Sequence, residues 1–441
     1  MKPIILVVDD DAGVRYTLRE ILESGDLQVE EAADGAQALA WLRSHHADLL
    51  VTDLLMPHVD GMQLLRSLAD VPEAPKAIML TAHGSERHAV EAMKLGALDY
   101  FSKPFDADQV MHVVERAVAA VHRDEENERL RAELLLSQHM VFTSEPMRRI
   151  ALLVHRVAPR PVNVLITGPS GTGKERVADA IVAGSPRANA PFVRFNCAAV
   201  PRELAEAELF GHARGAFTGA VKARPGVFRE AHGGTLLLDE VGELDPSTQG
   251  KLLRVLQEGT LRPVGEDREV EVSVRVLAAT NRDLRQELAA SRFREDLFYR
   301  LNVVEIALPP LRDRRDDLSP LIDHFLRKFA ERFGTGPVSL SPSLRQILLT
   351  RDWPGNVREL EHEIERLVAL SAGPVIDDDA LAEPVVSSAE AFGLREKVEA
   401  FERGLILQGL RDNGGNRSET ARKLGIGRVT LLDKMKKYGI E

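Results

Sequence analysis

The chain has 441 residues, 44% hydrophobic and 28% charged, with a net charge of −11 and one cysteine. That length exceeds a single hydrophobic core and points to about three domains of ordinary globular composition. The acidic balance excludes a surface wholly committed to nucleic acid, the lone Cys197 excludes an internal disulfide, and no run of about eighteen apolar residues offers a membrane span. The first apolar run, Ile4–Val8, meets three aspartates at once and does not read as a signal peptide, so a cytoplasmic, multi-domain protein without membrane contact is expected.

Strand-like segments Ile4–Val8, Val29–Ala32, Asp48–Thr52, Ala77–Thr81 and Ala97–Phe101 alternate with helical stretches, the pattern of a parallel sheet covered by helices. Asp9 and Asp10 end the first strand and Asp53 ends the third. In an open α/β sheet the carboxyl ends of the strands converge on a ligand crevice. Three carboxylates gathered there repel one another unless a hard divalent cation joins them, which implies Mg²⁺. Thr81 and Lys103, at the ends of the fourth and fifth strands, suit the oxygens of a phosphoryl group on Asp53. One such aspartate alone would read as a helix cap; five residues in this order argue for a site.

From Ala107 to about Gln138 there is neither proline nor glycine, and Val110, Val114, Ala117, Val121, Leu130 and Leu134 form a broken apolar stripe. A helical linker fits, either as a coiled coil across a dimer or as a solvated single helix. Strand candidates then return at Val162–Thr167, Phe192–Asn196, Thr235–Asp239 and Val274–Thr280. Gly168, Pro169, Ser170, Gly171, Thr172, Gly173, Lys174 and Glu175 follow the first of these and open a helix. This is the context in which backbone N–H groups cradle phosphates and a lysine reaches the terminal ones, so ATP is the expected ligand. GGTLLLDE ends in Asp239, suited to hold Mg²⁺ through water, and Glu240, suited to polarise the attacking water. Between these motifs Gly215 to Ala220 reads GAFTGA, a glycine-flanked mobile finger fit to press on another protein.

After a serine-containing polar tether, Arg411 to Glu441 carries eight Lys or Arg against four Asp or Glu, a local net of +4. It reads as helix, a turn at Gly425 to Gly427, and helix, with Ala421, Leu424, Ile426, Leu431 and Met435 as core. Arg428, Thr430, Lys434, Lys436 and Lys437 then suit a major groove.

ELFGHARGAFTGA, Glu208 to Ala220, resembles the sigma-54-contacting loop of NtrC-type bacterial enhancer-binding proteins, a family of AAA+ ATPases. The likeness implies sigma-54 contact by Gly215, Ala216, Phe217, Thr218, Gly219 and Ala220. A Glu after the P-loop lysine is usual in that family, so Glu175 sharpens the match. Asn281 looks like the sensor-I residue; FREDLFYR makes Arg294 and Arg300 fingers reaching a neighbouring subunit's site; WPGNVREL makes Arg358 the sensor-II arginine. Asn196 matches the residue that holds Glu240 idle. VVDDD, TDLLMP, MLTA and DYFSKPF resemble a response-regulator receiver domain. That likeness implies Asp53 as phosphoacceptor, metal held by Asp10, Asp53 and the Leu55 carbonyl with help from Asp9, and Thr81, Tyr100 and Lys103 as the switch; Asp11 is left as a cap. The C-terminal segment resembles a Fis-type helix-turn-helix, departing at Leu432 and Asp433, where a basic residue is common; Asp433 should repel backbone phosphate or accept from a cytosine.

The expected fold is therefore multi-domain. It comprises a flavodoxin-like α/β receiver over 1–120, a helical linker over 121–140, an α/β AAA+ P-loop ATPase with helical lid over 141–384, a tether over 385–393 and an all-α helix-turn-helix over 394–441. The resemblance implies a two-component response regulator whose sensor histidine kinase phosphorylates Asp53. Its dimer would assemble into a hexameric ring that uses ATP to remodel sigma-54 RNA polymerase holoenzyme from enhancer DNA. Two rivals stand beside it: a phosphorylation-controlled DNA-binding protein with a vestigial ATPase, and an AAA+ machine with another target. Whether the receiver represses or promotes assembly stays open.

Overall fold

The computed structural model describes residues 2–68, 71, 74–82, 86–216, 220, 222–371, 373–381, 406, 410 and 416–437. The chain divides into two compact units, Met1–Val375 and Ile376–Glu441.

The first sheet contains β1 (Ile4–Val8), β2 (Gln28–Ala32), β3 (Leu49–Asp53), β4 (Lys76–Ala82) and β5 (Asp99–Lys103), all parallel, in the order β2-β1-β3-β4-β5. Its strands read as near-continuous apolar runs because both faces are covered. Leu6, Val8, Leu50 and Met79 pack on one side with α2 (Gly35–Leu42) and α3 (Gly61–Ser67). Ile5, Val7, Val51, Ile78 and Leu80 pack on the other with α1 (Ala12–Glu23) and the start of α5 (Ala107–Ser137); α4 (Glu86–Lys94) lies between β4 and β5 in sequence. Aspartates start four of these helices: Asp11, Asp34, Asp60 and Asp106 each accept backbone N–H groups of the first turn, and Asp60 with Gln63 completes a capping box. Strand β5 runs to Lys103, two residues beyond the expected end at Phe101, and so carries the lysine to the crevice.

Helix α5 crosses the expected boundary at 120/121 without a break, over 31 residues. Its apolar stripe divides. Val110, Val114 and Ala117 join the receiver core; Ala132 and Leu136, fully buried, join the core of the next sheet, while Leu130 and Leu134 stay exposed. The helix is not solvated throughout: its second half packs on α6 (Glu145–Val157), with Arg156 bonding Glu128 at 2.8 Å.

The second sheet has five parallel strands. Chain order runs β6 (Val164–Thr167), α7 (Lys174–Ala183), β7 (Phe192–Asn196), α8 (Arg202–Phe210), α9 (Val227–Glu230), β8 (Thr235–Asp239), α10 (Pro246–Glu258), the hairpin β9 (Thr260–Leu261) and β10 (Val270–Glu271), β11 (Arg275–Thr280), α11 (Leu284–Ala289), α12 (Glu295–Leu301) and β12 (Val304–Ala307). Spatial order is β12-β6-β11-β8-β7, so β6 is interior and its carboxyl end faces those of β11 and β8. A helical lid of α13 (Leu318–Phe333), α14 (Pro342–Thr350) and α15 (Asn356–Ala369) follows. Among the described residues no helix is long and apolar enough to cross a membrane.

In the second unit, α16 (Arg417–Lys423) is capped by Asn416 and α17 (Arg428–Lys437) follows the turn. Ala421, Leu431 and Met435 are buried with Ile406, and Leu424 and Ile426 pack half-buried against them.

Candidate functional site

Strand order explains why motifs far apart in sequence meet. The P-loop leaves β6, Asn281 follows β11, Asp239 ends β8 and Asn196 ends β7, all at the same edge of adjacent strands. The P-loop, Asp239 and Asn196 border a cleft of about 430 Å³ whose other walls include Ser137–Val141, Arg314, and Leu321, Phe325, Lys328 and Arg358 of the lid; Asn281 is not among its lining residues. Gly171 has φ +77° and lies so close to the lid that a Cβ there would stand 2.3 Å from the Gly355 carbonyl. Only glycine permits that approach. Arg358 donates to the Ser170 hydroxyl at 3.3 Å, and the Asn356 amide to the Ser170 carbonyl at 2.9 Å, so the lid grips the loop directly.

Lys174 is 7% exposed, donates to the Gly168 carbonyl at 3.0 Å and stands 3.7 Å from Glu240. Glu240 is held at φ +53°, a strained conformation for a residue with a side chain, and its carboxylate accepts the Asn281 N–H at 2.9 Å. Asp239 is pushed above the ordinary carboxylate range by burial and then by the charges of Glu240 and Glu175. Acids crowded in this way beside one lysine are a donor set that fits a hard divalent cation. Asn196 departs from expectation: its amide donates to Asp239 at 3.1 Å, not to Glu240. The register pairs Asn196 with Asp239 across β7 and β8, and the turn at Glu240 sends the next side chain toward β11.

Arg294 and Arg300 are exposed and do not line the cleft among the described residues. Arg294 is paired with Asp296 at 2.7 Å, and Arg300 donates to the Leu256 carbonyl at 2.9 Å. Phe217, Thr218 and Gly219 lie outside the described residues. The base of their loop is fixed: Gly215 N–H donates to the Ala220 carbonyl at 2.8 Å, Ala216 rests against Gly265, and His212 and Arg224 exchange backbone bonds at 3.0 Å.

The receiver crevice gathers the carboxylates of Asp9, Asp10 and Asp53, one ligand atom from each lying within 4.8 Å of the others. Lys103 donates to Asp9 at 2.6 Å and Asp53 at 2.9 Å. Burial raises Asp9; the hydrogen bonds to both acids overcome burial and raise Lys103. Three hard oxygens fit Mg²⁺ here too. Thr81 is buried near the end of β4, Tyr100 is 45% exposed on the edge strand β5, Leu55 is exposed in the loop after Asp53, and Asp11 is indeed a helix cap.

Two features escaped the sequence reading. Arg314 and Asp317 sit in the run LRDRRDD, which looks like surface, yet both are buried. Asp317 accepts from Thr143 N–H, Ser144 N–H and the Ser144 hydroxyl, and Arg314 donates to the Thr172 carbonyl of the P-loop at 2.8 Å. Gln249, fully buried, donates to the Leu244 and Arg292 carbonyls and accepts the Arg294 N–H at 2.9 Å, fixing the backbone of that arginine. In the second unit Arg428, Thr430, Lys436 and Lys437 are exposed on α17, and Lys434 is half-buried at its side.

Residues 5–115 match the response regulator receiver domain, 140–307 the sigma-54 interaction domain, 312–393 the AAA+ ATPase lid domain and 397–438 the bacterial regulatory protein, Fis family. The regulatory protein AtoC of Escherichia coli K12 is 40% identical over 451 residues, covering 99% of this chain and 98% of that one. The DNA-binding transcriptional regulator NtrC of Escherichia coli K12 is 38% identical over 467 residues, covering 99% of both. The chain belongs to the NtrC-type sigma-54-dependent activators. ZraR of Salmonella typhimurium, a transcriptional regulatory protein, is 44% identical over 434 residues and 98% of each chain. NtrX from Brucella abortus, solved with ADP and with ATP, is 36% identical with a TM-score of 0.56 over the whole of both chains. As a member of this family, the chain is a two-component response regulator and sigma-54 transcriptional activator with a DNA-binding domain, and its AAA+ module is a nucleotide-binding ATPase.

Proposed function

We propose that this activator works as an oligomeric, hexameric ring in which ATP hydrolysis at each subunit interface drives the GAFTGA loop against sigma-54 RNA polymerase holoenzyme. The carrying observation is the division of labour around the cleft. Lys174, Asp239, Glu240 and Arg358 converge within one chain, whereas Arg294 and Arg300 stand outside it. An arginine aimed at a neighbour's γ-phosphate stabilises the charge of the transferring phosphoryl group. Hydrolysis then depends on the ring.

Within the cleft, Lys174 and the P-loop N–H groups hold the phosphates, Arg358 closes the lid on them, and Glu240 takes a proton from the attacking water. Asn281 keeps the Glu240 carboxylate aimed, and Asn196 positions Asp239. Bound Mg²⁺, held through Asp239, supplies neutralisation of the phosphate charge. In the receiver, Asp53 accepts the phosphoryl group from a sensor histidine kinase, with Lys103 and Thr81 reading its oxygens; Mg²⁺ would be held by Asp10, Asp53 and the Leu55 carbonyl, with help from Asp9. Tyr100 changes exposure in response, and Arg428, Thr430, Lys434, Lys436 and Lys437 hold enhancer DNA.

Mixing two inactive variants tests the shared site. Lys174→Ala loses ATP binding; Arg294→Ala keeps it and loses hydrolysis. Their mixture recovers part of the ATPase rate, because an intact Arg294 on one subunit faces an intact cleft on the next. Undiminished hydrolysis by Arg294→Ala, or a mixture no better than its parts, rules the interface mechanism out.

A further inference from the structure

Helix α17 fixes its own orientation. Leu431 and Met435 are 0% and 3% exposed, packed with Ala421 and Ile406. At about 100° per residue, the direction opposite these two side chains falls on Asp433, with Val429 one turn before it on the same face. Val429 is 72% exposed; Asp433 is exposed and has no hydrogen-bond or ion partner among the described residues. The outward centre of this basic helix is thus an acid and an aliphatic side chain, flanked by Lys436 and Lys437.

A carboxylate there is repelled by every backbone phosphate, so it does not serve general affinity. It gains from a hydrogen-bond donor on a base edge. The major groove offers two, cytosine N4 and adenine N6, and adenine sets its N7 acceptor beside the amino group, against the second carboxylate oxygen. Cytosine is the better partner. Val429 presents only carbon, which matches the C5-methyl of thymine. The second helix of a helix-turn-helix puts its N-terminal residues on base edges, which is where Val429 stands.

We propose that Asp433 and Val429 are the residues that determine DNA sequence preference in this chain, Asp433 selecting a C·G pair through cytosine N4 and Val429 a thymine methyl. Four residues of helix rise about 6 Å, so the two bases lie within about two base-pair steps of each other. The proposal rests on the DNA-binding reading of the second unit.

Full-length protein selects duplexes from a randomised pool, and the enriched duplex is then titrated by fluorescence anisotropy. Two altered duplexes each lack one group: 2-pyrimidinone in place of the cytosine removes only the amino group, and uracil in place of the thymine removes only the methyl. The native chain loses roughly 5- to 150-fold on the pyrimidinone duplex. Asp433→Ala binds the cytosine and pyrimidinone duplexes equally, Asp433→Arg shifts the selected base toward guanine, and Val429→Ser no longer tells thymine from uracil. Retention of unselected duplex by each variant reports that the unit is folded. A sharp consensus that tolerates loss of both groups, or the same consensus from Asp433→Arg, overturns the assignment while sequence-specific DNA binding stands. Failure to enrich any duplex overturns both.

Discussion

Asp317 joins the end of the linker to the floor of the nucleotide cleft. Its carboxylate is fully buried and accepts N–H groups of Thr143 and Ser144 at 2.6 and 2.7 Å and the Ser144 hydroxyl at 2.9 Å. The Arg314 guanidinium, 3.8 Å away and equally buried, anchors the Thr172 carbonyl of the P-loop. Asp317→Ala leaves a buried cation uncompensated, at a cost of about 3–5 kcal/mol, and orphans two N–H groups at about 1–3 kcal/mol each. These costs overlap, so the expected loss is about 5 kcal/mol. Each kcal/mol moves the midpoint of a module this size by about 2–4 °C, which places the ATPase transition at least about 10 °C lower.

Scanning calorimetry of the full chain, with the transition assigned by its shift on adding nucleotide, measures the loss. Because part of the penalty comes from an unpaired charge, Arg314→Met combined with Asp317→Leu recovers that part, while the orphaned N–H groups keep the rest of the loss in place. Arg314→Met also raises KM for ATP, since Thr172 loses its anchor. An Asp317→Ala transition within about 1 kcal/mol of the native chain, or an additive double variant, would falsify this account of the cluster.

Gly61→Ala puts a Cβ 2.1 Å from the Asp53 carbonyl, and the forced shift costs about 1–3 kcal/mol; urea melts should show it, and phosphorylation by acetyl phosphate should slow because Asp53 itself moves. Gln249→Leu orphans the Arg294 N–H and two carbonyls, so kcat for ATP should fall with KM little changed; a rise in KM alone would contradict the positioning role. The hydrogen bond from Arg156 holds the Glu128 carboxyl below its ordinary value. That contribution to stability is present above about pH 4.5 and lost as pH falls through the lower folded value, so Glu128→Gln should differ from the native chain in urea melts at neutral pH and converge with it in acid.

Residues that carry chemistry were legible because each sits at a strand end or on a glycine turn, where short motifs leave few alternatives. Asp9, Asp53 and Lys103 meet as expected, and so do Lys174, Asp239 and Glu240. What stayed hidden needed knowledge of which surfaces meet. The broken stripe on α5 runs through Leu130 and Leu134, yet both are exposed; Val114 belongs to one core, Ala132 and Leu136 to another, and periodicity does not say against what a face packs. Arg314 and Asp317 have the composition of a solvated turn, yet their partners are distant in sequence: Ser144 for Asp317, 173 residues away, and Thr172 for Arg314.

Asn196 shows where the limit falls. Its residue type and its place at the end of β7 could be read, but its partner is set by register: directly opposite Asp239, one residue short of Glu240. The positive φ of Glu240 then turns that side chain away, toward the N–H of Asn281. An amide at Asn196 therefore acts on the acid suited to hold metal, and a backbone N–H acts on the acid suited to activate water. Removing the amide by Asn196→Ala thus bears first on Asp239, and any effect on Glu240 has to pass through the backbone that joins the two acids.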